Sequence, residues 1–252
     1  MINYSFKNKN VLVTGSSKGI GLAIAKKFIS SRANVILTGR SNLSDIKLTK
    51  KTNVNFFKGD LTNQNTIKLL YDFTVEKFKN SLDILVCNLG NGKYEAKMSY
   101  SEKEWQESFN LNFFSSIYTI QNFLKLLKKS EEPSIVCISS ICAKSSLGCP
   151  IVYSSSKAAL NNYVKNMSKL IGKLNIRINS ISPGNIMFKN STWEKKLNDN
   201  KKKVVRYIKN EVPLNKFGNP NNVADMVMYL SSSSANFTTG SNFVLDGGQT
   251  DS

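Results

Sequence analysis

Tyr153-Ser154-Ser155-Ser156-Lys157 places a phenol and an ammonium four residues apart. On a helix that spacing sets both groups on one face, one turn from each other. A free phenol titrates near ~10, and a fixed cation beside it stabilises the phenolate and lowers that pKa. The pair is therefore suited to general acid–base work near neutral pH. Chance produces many such pairs, so the weight falls on what accompanies this one. Far upstream, Gly15-Ser16-Ser17-Lys18-Gly19-Ile20-Gly21 follows the apolar run Val11-Leu12-Val13-Thr14 and precedes a helical pattern through Ala23, Ile24 and Phe28. Strand, glycine loop and helix together aim backbone N–H groups and a helix N-terminus at a phosphate. Gly15 permits the turn, Gly19 lets a diphosphate approach the backbone, and Gly21 allows tight packing.

A dinucleotide-binding fold often carries an acidic residue about 20 positions past the glycines, where it binds the ribose 2′-hydroxyl. Here Gly39-Arg40 stands at that place, after the strand-like run Val35-Ile36-Leu37-Thr38. An arginine there accepts a 2′-phosphate, and Lys18 inside the loop can assist. The residues therefore favour NADP(H) over NAD(H).

The elements that position these groups follow from the pattern of short apolar runs. Asn55-Phe56-Phe57, Leu82 to Cys87, Ser134 to Ile138, Ile176 to Ile181 and Asn242 to Leu245 read as further strands. Helices are expected from about Asn63 to Lys79, from Ser101 to about Lys129, from the Tyr153 region to about Gly172, and from Pro220 to about Leu230. Ser101 with Glu104 forms a capping box, and Asn219-Pro220 pairs a cap with proline at the first helical position. Two lysine-rich helical pieces are expected within Asn185 to Glu211. Alternation of strand and helix implies an α/β fold with a parallel sheet covered on both faces. The ligand is then expected at the carboxyl ends of the strands, where the glycine loop, Asp60, Asn88, Ser140 and Pro183 all fall. No linker or repeat is visible, so residues 1–252 read as one domain.

Bulk properties narrow the class. A chain of 252 residues can bury a large core without metals or disulfides. No apolar run approaches the ~20 residues needed to cross a bilayer, and the polar N-terminus lacks a signal-peptide core; a cytoplasmic protein with no membrane partner is expected. The four cysteines, Cys87, Cys137, Cys142 and Cys149, form no Cys-x-x-Cys pair, and histidine is absent. No metal site is expected, and the thiols read as reduced and mostly buried. The formal charge of +18 raises nucleic-acid binding as a possibility. The lysines occur in scattered groups, however, which fits solvated helix faces and no specific nucleic acid.

Taken together, these pieces resemble the short-chain dehydrogenase/reductase family across nearly the whole chain. The matching residues are Thr14-Gly15-x-x-x-Gly19-x-Gly21, Asp60-Leu61, Asn88-x-Gly90, Asn112, Ser140, Tyr153-x-x-x-Lys157, Pro183-Gly184 and Asp246-Gly247-Gly248. The tail, with Pro213-Leu214, Phe217-Gly218-x-Pro220, Val223-Ala224 and Thr239-Gly240, is similar to 3-oxoacyl-acyl-carrier-protein reductases. The resemblance implies a Rossmann-type doubly wound sheet of about seven strands. It implies an NADPH-dependent reductase of a carbonyl group, most like a 3-oxoacyl thioester, and assembly as a homotetramer, with a dimer as the smaller alternative. A keto-sugar or other small polar ketone is the alternative substrate, and a cofactor-binding protein with little catalysis is the alternative of another class.

By the same resemblance Asn112, Ser140, Tyr153 and Lys157 form the catalytic tetrad. Tyr153 protonates the carbonyl oxygen, Ser140 holds that oxygen, Lys157 binds the nicotinamide ribose and lowers the tyrosine pKa, and Asn112 holds a relay water. Gly15, Ser17, Lys18, Gly19, Ile20, Gly21, Arg40, Asp60, Leu61, Asn88, Gly90, Tyr153, Lys157, Pro183, Gly184 and Ile186 are implied at the cofactor. Two positions depart from the family pattern. Leu89 replaces an alanine beside the adenosine ribose, and Phe188 stands where a threonine often bonds the nicotinamide amide. The lid segment from Met187 to Asn210 is also unlike that of typical acyl-carrier-protein reductases.

Overall fold

The computed structural model describes residues 4–41 and 53–250. Seven strands form one sheet: β1 (Asn10–Val13), β2 (Asn34–Gly39), β3 (Val54–Lys58), β4 (Ile84–Cys87), β5 (Ser134–Ile138), β6 (Arg177–Pro183) and β7 (Asn242–Leu245). Their order is β3-β2-β1-β4-β5-β6-β7, and every neighbouring pair is parallel. Each half of the chain winds outward from the β1–β4 pair, so the topology reverses there. That reversal opens a crevice at the carboxyl ends of β1 and β4, where open α/β sheets take their ligands.

Parallel strands need crossover helices, and these cover both faces. Successive strand residues point to opposite faces, and two separate cores result. On one side Val11, Val13, Val35 and Leu37 pack against α1 (Gly19–Ser30) and α8 (Pro220–Ser231) through Ile24, Phe28, Val223 and Val227. On the other side Leu12, Ile36, Leu85 and Ile135 pack against α2 (Gln64–Phe78), α4 (Ser115–Leu127) and α5 (Ile151–Ile171) through Ile67, Leu70, Phe123, Leu160 and Val164. Phe28 and Phe123 are fully buried, each worth about 1.5–3 kcal/mol of transfer free energy. Two shorter helices, α6 (Thr192–Asp199) and α7 (Lys201–Glu211), lie between β6 and α8 in the chain. Among the described residues no helix is long and apolar enough to cross a membrane.

The expected helix starts are present. Asn63 accepts a bond from the Asn65 N–H, Ser101 and Glu104 form the capping box of α3 (Glu102–Phe109), and Asn219 and Asn222 form another at α8. The long helix expected from Ser101 to Lys129 differs in its middle. α3 and α4 are joined through a π-helical turn, Asn110–Phe114, where one extra residue widens the backbone. Such turns concentrate at functional sites, and this one carries Asn112.

The cysteine expectation also requires correction. Cys87 and Cys137 are free and buried, but Cys142 and Cys149 are joined in a disulfide. The physical reason is local chain geometry. A short 3₁₀ turn at Ile141–Ala143 and a left-handed Gly148 at φ 68° fold the loop back on itself. Their Cα atoms come within 6.4 Å, inside the range a disulfide spans.

Candidate active site

The crevice floor is the turn after β1. Gly15 takes φ 60°, a left-handed conformation that glycine adopts without steric cost. Its N–H donates to Thr38 Oγ1 at 3.0 Å. The buried Ser16 hydroxyl donates to the Val13 carbonyl at 2.7 Å and accepts from the Thr38 N–H at 2.9 Å. Asn88 braces the same turn from β4, its Nδ2 donating to the Thr14 carbonyl at 3.0 Å and to the Gly15 carbonyl at 2.9 Å. A methyl group on Gly21 would collide with Asn88 Nδ2 and lie 2.5 Å from the Gly15 carbonyl oxygen. The third glycine is thus needed because the asparagine strut already fills the space. Asn88, implied at the cofactor, is placed to shape the loop, with both amide hydrogens committed to it.

α1 starts at Gly19 with Lys18 at its N-cap, and the Lys18 side chain makes no capping bond; no acidic residue occupies the first turn. The positive end of the helix dipole is left for an external anion. The donor set of the loop therefore fits a dinucleotide diphosphate. Ser17 and Ile20 flank the same turn, and Ser17 lies close against Gly39, where a methyl group would sit 2.8 Å from its Cβ. Beyond β2, Arg40 is exposed and reaches Asp60 at 3.9 Å. Asp60 in turn accepts from the Thr62 N–H at 3.0 Å and hydroxyl at 2.8 Å, while Leu61 is buried beneath.

The two substituted positions both lie against this loop. Leu89 packs on Gly15, where an added methyl would fall 3.2 Å from Leu89 Cδ1. The Phe188 ring lies on Gly19, 2.6 Å from such a methyl. A groove of about 800 Å³ runs beside it, lined by Leu22, Ala23, Lys18, Lys26 and Lys189 among others.

The acid–base groups gather across the crevice. Ser140 lies two residues past the end of β5, is 7% exposed, and accepts from the Cys142 N–H at 3.2 Å. α5 turns Val152, Ser156, Lys157, Leu160 and Val164 inward as one buried stripe, so its apolar face carries a charge one turn from Tyr153. Lys157 is 3% exposed, and its Nζ donates to the Ile138 carbonyl at 2.8 Å. Burial lowers its pKa to about 8, against an opposing influence of the Cys137 and Cys87 thiols. The Cys87 thiol is pushed well above its ordinary value, first by its hydrogen bond with Cys137 and then by burial.

Asn112 is 1% exposed; its Nδ2 donates to the Ser108 carbonyl at 3.0 Å and its Oδ1 accepts the Asn91 N–H at 2.8 Å. Gly90 stands between Asn112 and Lys157: a methyl group there would lie 2.7 Å from Asn112 Oδ1 and 2.9 Å from Lys157 Nζ. Two residues on, Gly92 runs along the Tyr153 ring at 3.5 Å by the same measure.

One electrostatic expectation is reversed. The Tyr153 phenol is raised above its ordinary value, chiefly by burial, with the Ser140 hydroxyl partly offsetting that by hydrogen bonding. Lys157 is not among the groups that lower it, because its ammonium is directed to the Ile138 carbonyl. Pro183 ends β6, the Gly184 N–H just after it donates to the Leu245 carbonyl at 2.9 Å, and Asp246 packs where a Gly184 side chain would stand. Ile186 is buried and bridges to Gly218.

A family model described as Enoyl-(Acyl carrier protein) reductase matches residues 15–250. The chain belongs to the short-chain dehydrogenase/reductase family. It is 31% identical to a 3-oxoacyl-[acyl-carrier-protein] reductase of Chlamydia pneumoniae, over 96% of this chain and 97% of that one. Among solved structures, an aldohexose dehydrogenase of Thermoplasma acidophilum in ligand-free form is 28% identical with a TM-score of 0.86, covering 98% of this chain and 96% of that one. An L-sorbose reductase of Gluconobacter frateurii complexed with NADPH and L-sorbose is 26% identical with a TM-score of 0.89, covering 100% of both chains. The two solved structures share the fold described above.

Sequence reasoning named Asn112, Ser140, Tyr153 and Lys157, and the fold brings all four to the carboxyl edge of β4 and β5 and the first turns of α5. It missed Ser108 and Gly92. Ser108 donates to the Val152 carbonyl at 3.0 Å while its own carbonyl holds Asn112. Its four-residue spacing from Asn112 was the available signal.

Proposed function

We propose that the chain reduces a carbonyl to a hydroxyl at the expense of NADPH, with Tyr153 as proton donor. The observation that carries this is the meeting of Ser140, Tyr153, Lys157 and Asn112 on the same sheet edge as the uncapped start of α1. A bound reduced nicotinamide would supply hydride to the carbonyl carbon. Tyr153 gives its phenolic proton to the carbonyl oxygen as negative charge develops there, which yields the neutral alcohol. The Ser140 hydroxyl donates to the same oxygen and fixes it within reach of the phenol. Donors already aimed at the developing charge contribute most.

Lys157, with its pKa at about 8, stays mostly charged at neutral pH. It would hold the cofactor's ribose hydroxyls, while the Ser140 hydroxyl is the group that favours the phenolate left on Tyr153. The Ile138 carbonyl holds the Lys157 ammonium at 2.8 Å. Arg40 is exposed beyond β2 and would favour the 2′-phosphate of NADPH, with Lys18 in support; Asp60 and Leu61 would border the adenine. Pro183, Gly184 and Ile186 would line the nicotinamide end.

The best-supported substrate is a 3-oxoacyl thioester, because the Chlamydia reductase is similar over nearly the full length. A small polyhydroxy ketone is the second reading, favoured by the similarity to the L-sorbose reductase and the aldohexose dehydrogenase. Assembly as a homotetramer belongs to the same reading. The test is oxidation of NADPH against a panel of oxoacyl thioesters and keto-sugars. Turnover should fall by about 10²–10⁴-fold in Tyr153→Phe, and Arg40→Ala should erase the preference for NADPH over NADH. Unchanged turnover in Tyr153→Phe overturns the mechanism.

A further inference from the structure

Phe188 has no part in the proton chemistry, yet its ring lies on the most exacting point of the glycine loop. Gly19 takes φ 58°, and the face where its side chain would stand meets the Phe188 ring. The ring edge meets that face, with Cε2 and Cζ only 2.6 Å and 2.8 Å from where a β-carbon would be. A phosphate drawn to the start of α1 needs the same face. The ring and a diphosphate cannot both stand there.

The backbone around Phe188 is held in place. Ile186 is buried and bridges to Gly218, and the Met187 N–H donates to the Gly218 carbonyl at 2.8 Å. The Phe188 carbonyl accepts from the Ser191 N–H at 2.9 Å, and the Phe188 N–H donates to Ser191 Oγ at 3.3 Å. Ser191 in turn caps α6, accepting from the Glu194 N–H at 3.0 Å. With the main chain pinned on both sides, rotation of the side chain is the low-cost way to clear the loop. The ring is only half-buried, at the margin of the core that holds α1 and α8. The adjoining groove, polar and lysine-rich apart from Leu22, Ala23, Pro220 and Phe188 itself, gives the rotated ring room.

We propose that Phe188 is a displaceable cover on the glycine loop, competing with the cofactor diphosphate for the face of Gly19 and so setting the affinity and association rate of the cofactor. This rests on the reading of the crevice as a nicotinamide dinucleotide site. When the binding-competent conformer is a minor one, the apparent dissociation constant is raised in proportion. Undoing about half of a phenylalanine's burial corresponds to roughly tenfold in that constant.

The experiment compares the wild-type chain with Phe188→Ala and Phe188→Leu, each first checked for an unchanged far-UV spectrum and cooperative melting. NADPH is titrated by its fluorescence, and association is followed by stopped flow. Adenosine 2′-monophosphate, which has no diphosphate, is the control ligand. Phe188→Ala should bind NADPH roughly tenfold more tightly and faster, Phe188→Leu should fall between, and the affinity for 2′-AMP should not change. NADPH binding by Phe188→Ala that is no tighter than wild type overturns the cover and leaves the cofactor reading standing. Equal tightening for 2′-AMP overturns it as well, because the ring would then shape the whole pocket. Binding of NADPH by Phe188→Ala alone supports the cover in its strongest form, and binding by none of the three chains overturns cover and cofactor reading together.

Discussion

Lys157→Met should separate the needs of the fold from those of the site. Lys157 is 3% exposed, and burial lowers its pKa from 10.5 to about 8. The folded state therefore binds fewer protons at this site than the unfolded chain between those two values. Below pH 8 the destabilisation is fully present, and it fades as pH rises toward 10.5. A lowering of that size corresponds to about 3 kcal/mol at low pH. It is still about 3 kcal/mol at pH 7, and falls to about 2 at pH 9 and about 1 at pH 10. Methionine matches the length of the lysine stem and removes the charge.

It also removes the donor to the Ile138 carbonyl, which costs about 1–3 kcal/mol. The variant should therefore be more stable than wild type by about 0–2 kcal/mol at pH 7, and by pH 10 that advantage should be lost or reversed, a change of about 2 kcal/mol. Tyr153 and Cys87, raised by burial and by hydrogen bonding respectively, weaken both proteins as pH climbs past their unfolded values. The difference between the two chains, not either curve alone, reports Lys157 together with its influence on the Cys87 thiol. Urea unfolding at pH 7, 8, 9 and 10 with linear extrapolation measures it. A difference independent of pH would refute the buried-ammonium account. Carbonyl reduction by the variant should be lost at every pH.

Three further outcomes follow from the geometry. Asn88→Ala deletes two bonds that hold the glycine loop; it should destabilise the chain by about 2–3 kcal/mol and lower the melting temperature in calorimetry, and an unchanged melting point would show the strut to be dispensable. Gly21→Ala should be worse than an ordinary glycine substitution, because its methyl meets Asn88 Nδ2 and the Gly15 carbonyl; wild-type nucleotide affinity in that variant would contradict the packing described. The chain unfolded without reductant should yield two reactive thiols, Cys87 and Cys137, and four after dithiothreitol. Cutting the Cys142–Cys149 link, seven residues long, should cost about 2 kcal/mol by the loop-entropy relation, visible as a lower urea midpoint in the doubly serine-substituted chain.

Much of this protein was legible from local pattern alone. Strand and helix alternate with clear periodicity, so the parallel sheet and its two helical layers could be read directly, and β5 and β7 began and ended at the expected residues. Capping boxes and the glycine loop are short-range devices whose residues lie within a few positions of one another. The tetrad was nameable through the family resemblance, with Ser140 just past a strand and Tyr153 and Lys157 at a helical spacing.

What the chain order did not contain was which distant groups would share one volume. Periodicity cannot reveal the extra residue at Asn110–Phe114, since the polar pattern on either side continues unbroken. Nor can it show that Lys157 would point to Ile138 and leave the Tyr153 phenol raised by burial, because desolvation depends on everything packed around a group. The contact of Phe188 with Gly19 joins residues 169 positions apart, and the Cys142–Cys149 pairing depends on a loop turned back by Gly148. Residue types set the chemistry available to this crevice. Burial and direction, which exist only after the two halves of the sheet meet at β1 and β4, decided how each group is tuned and what stands in the way of its ligand.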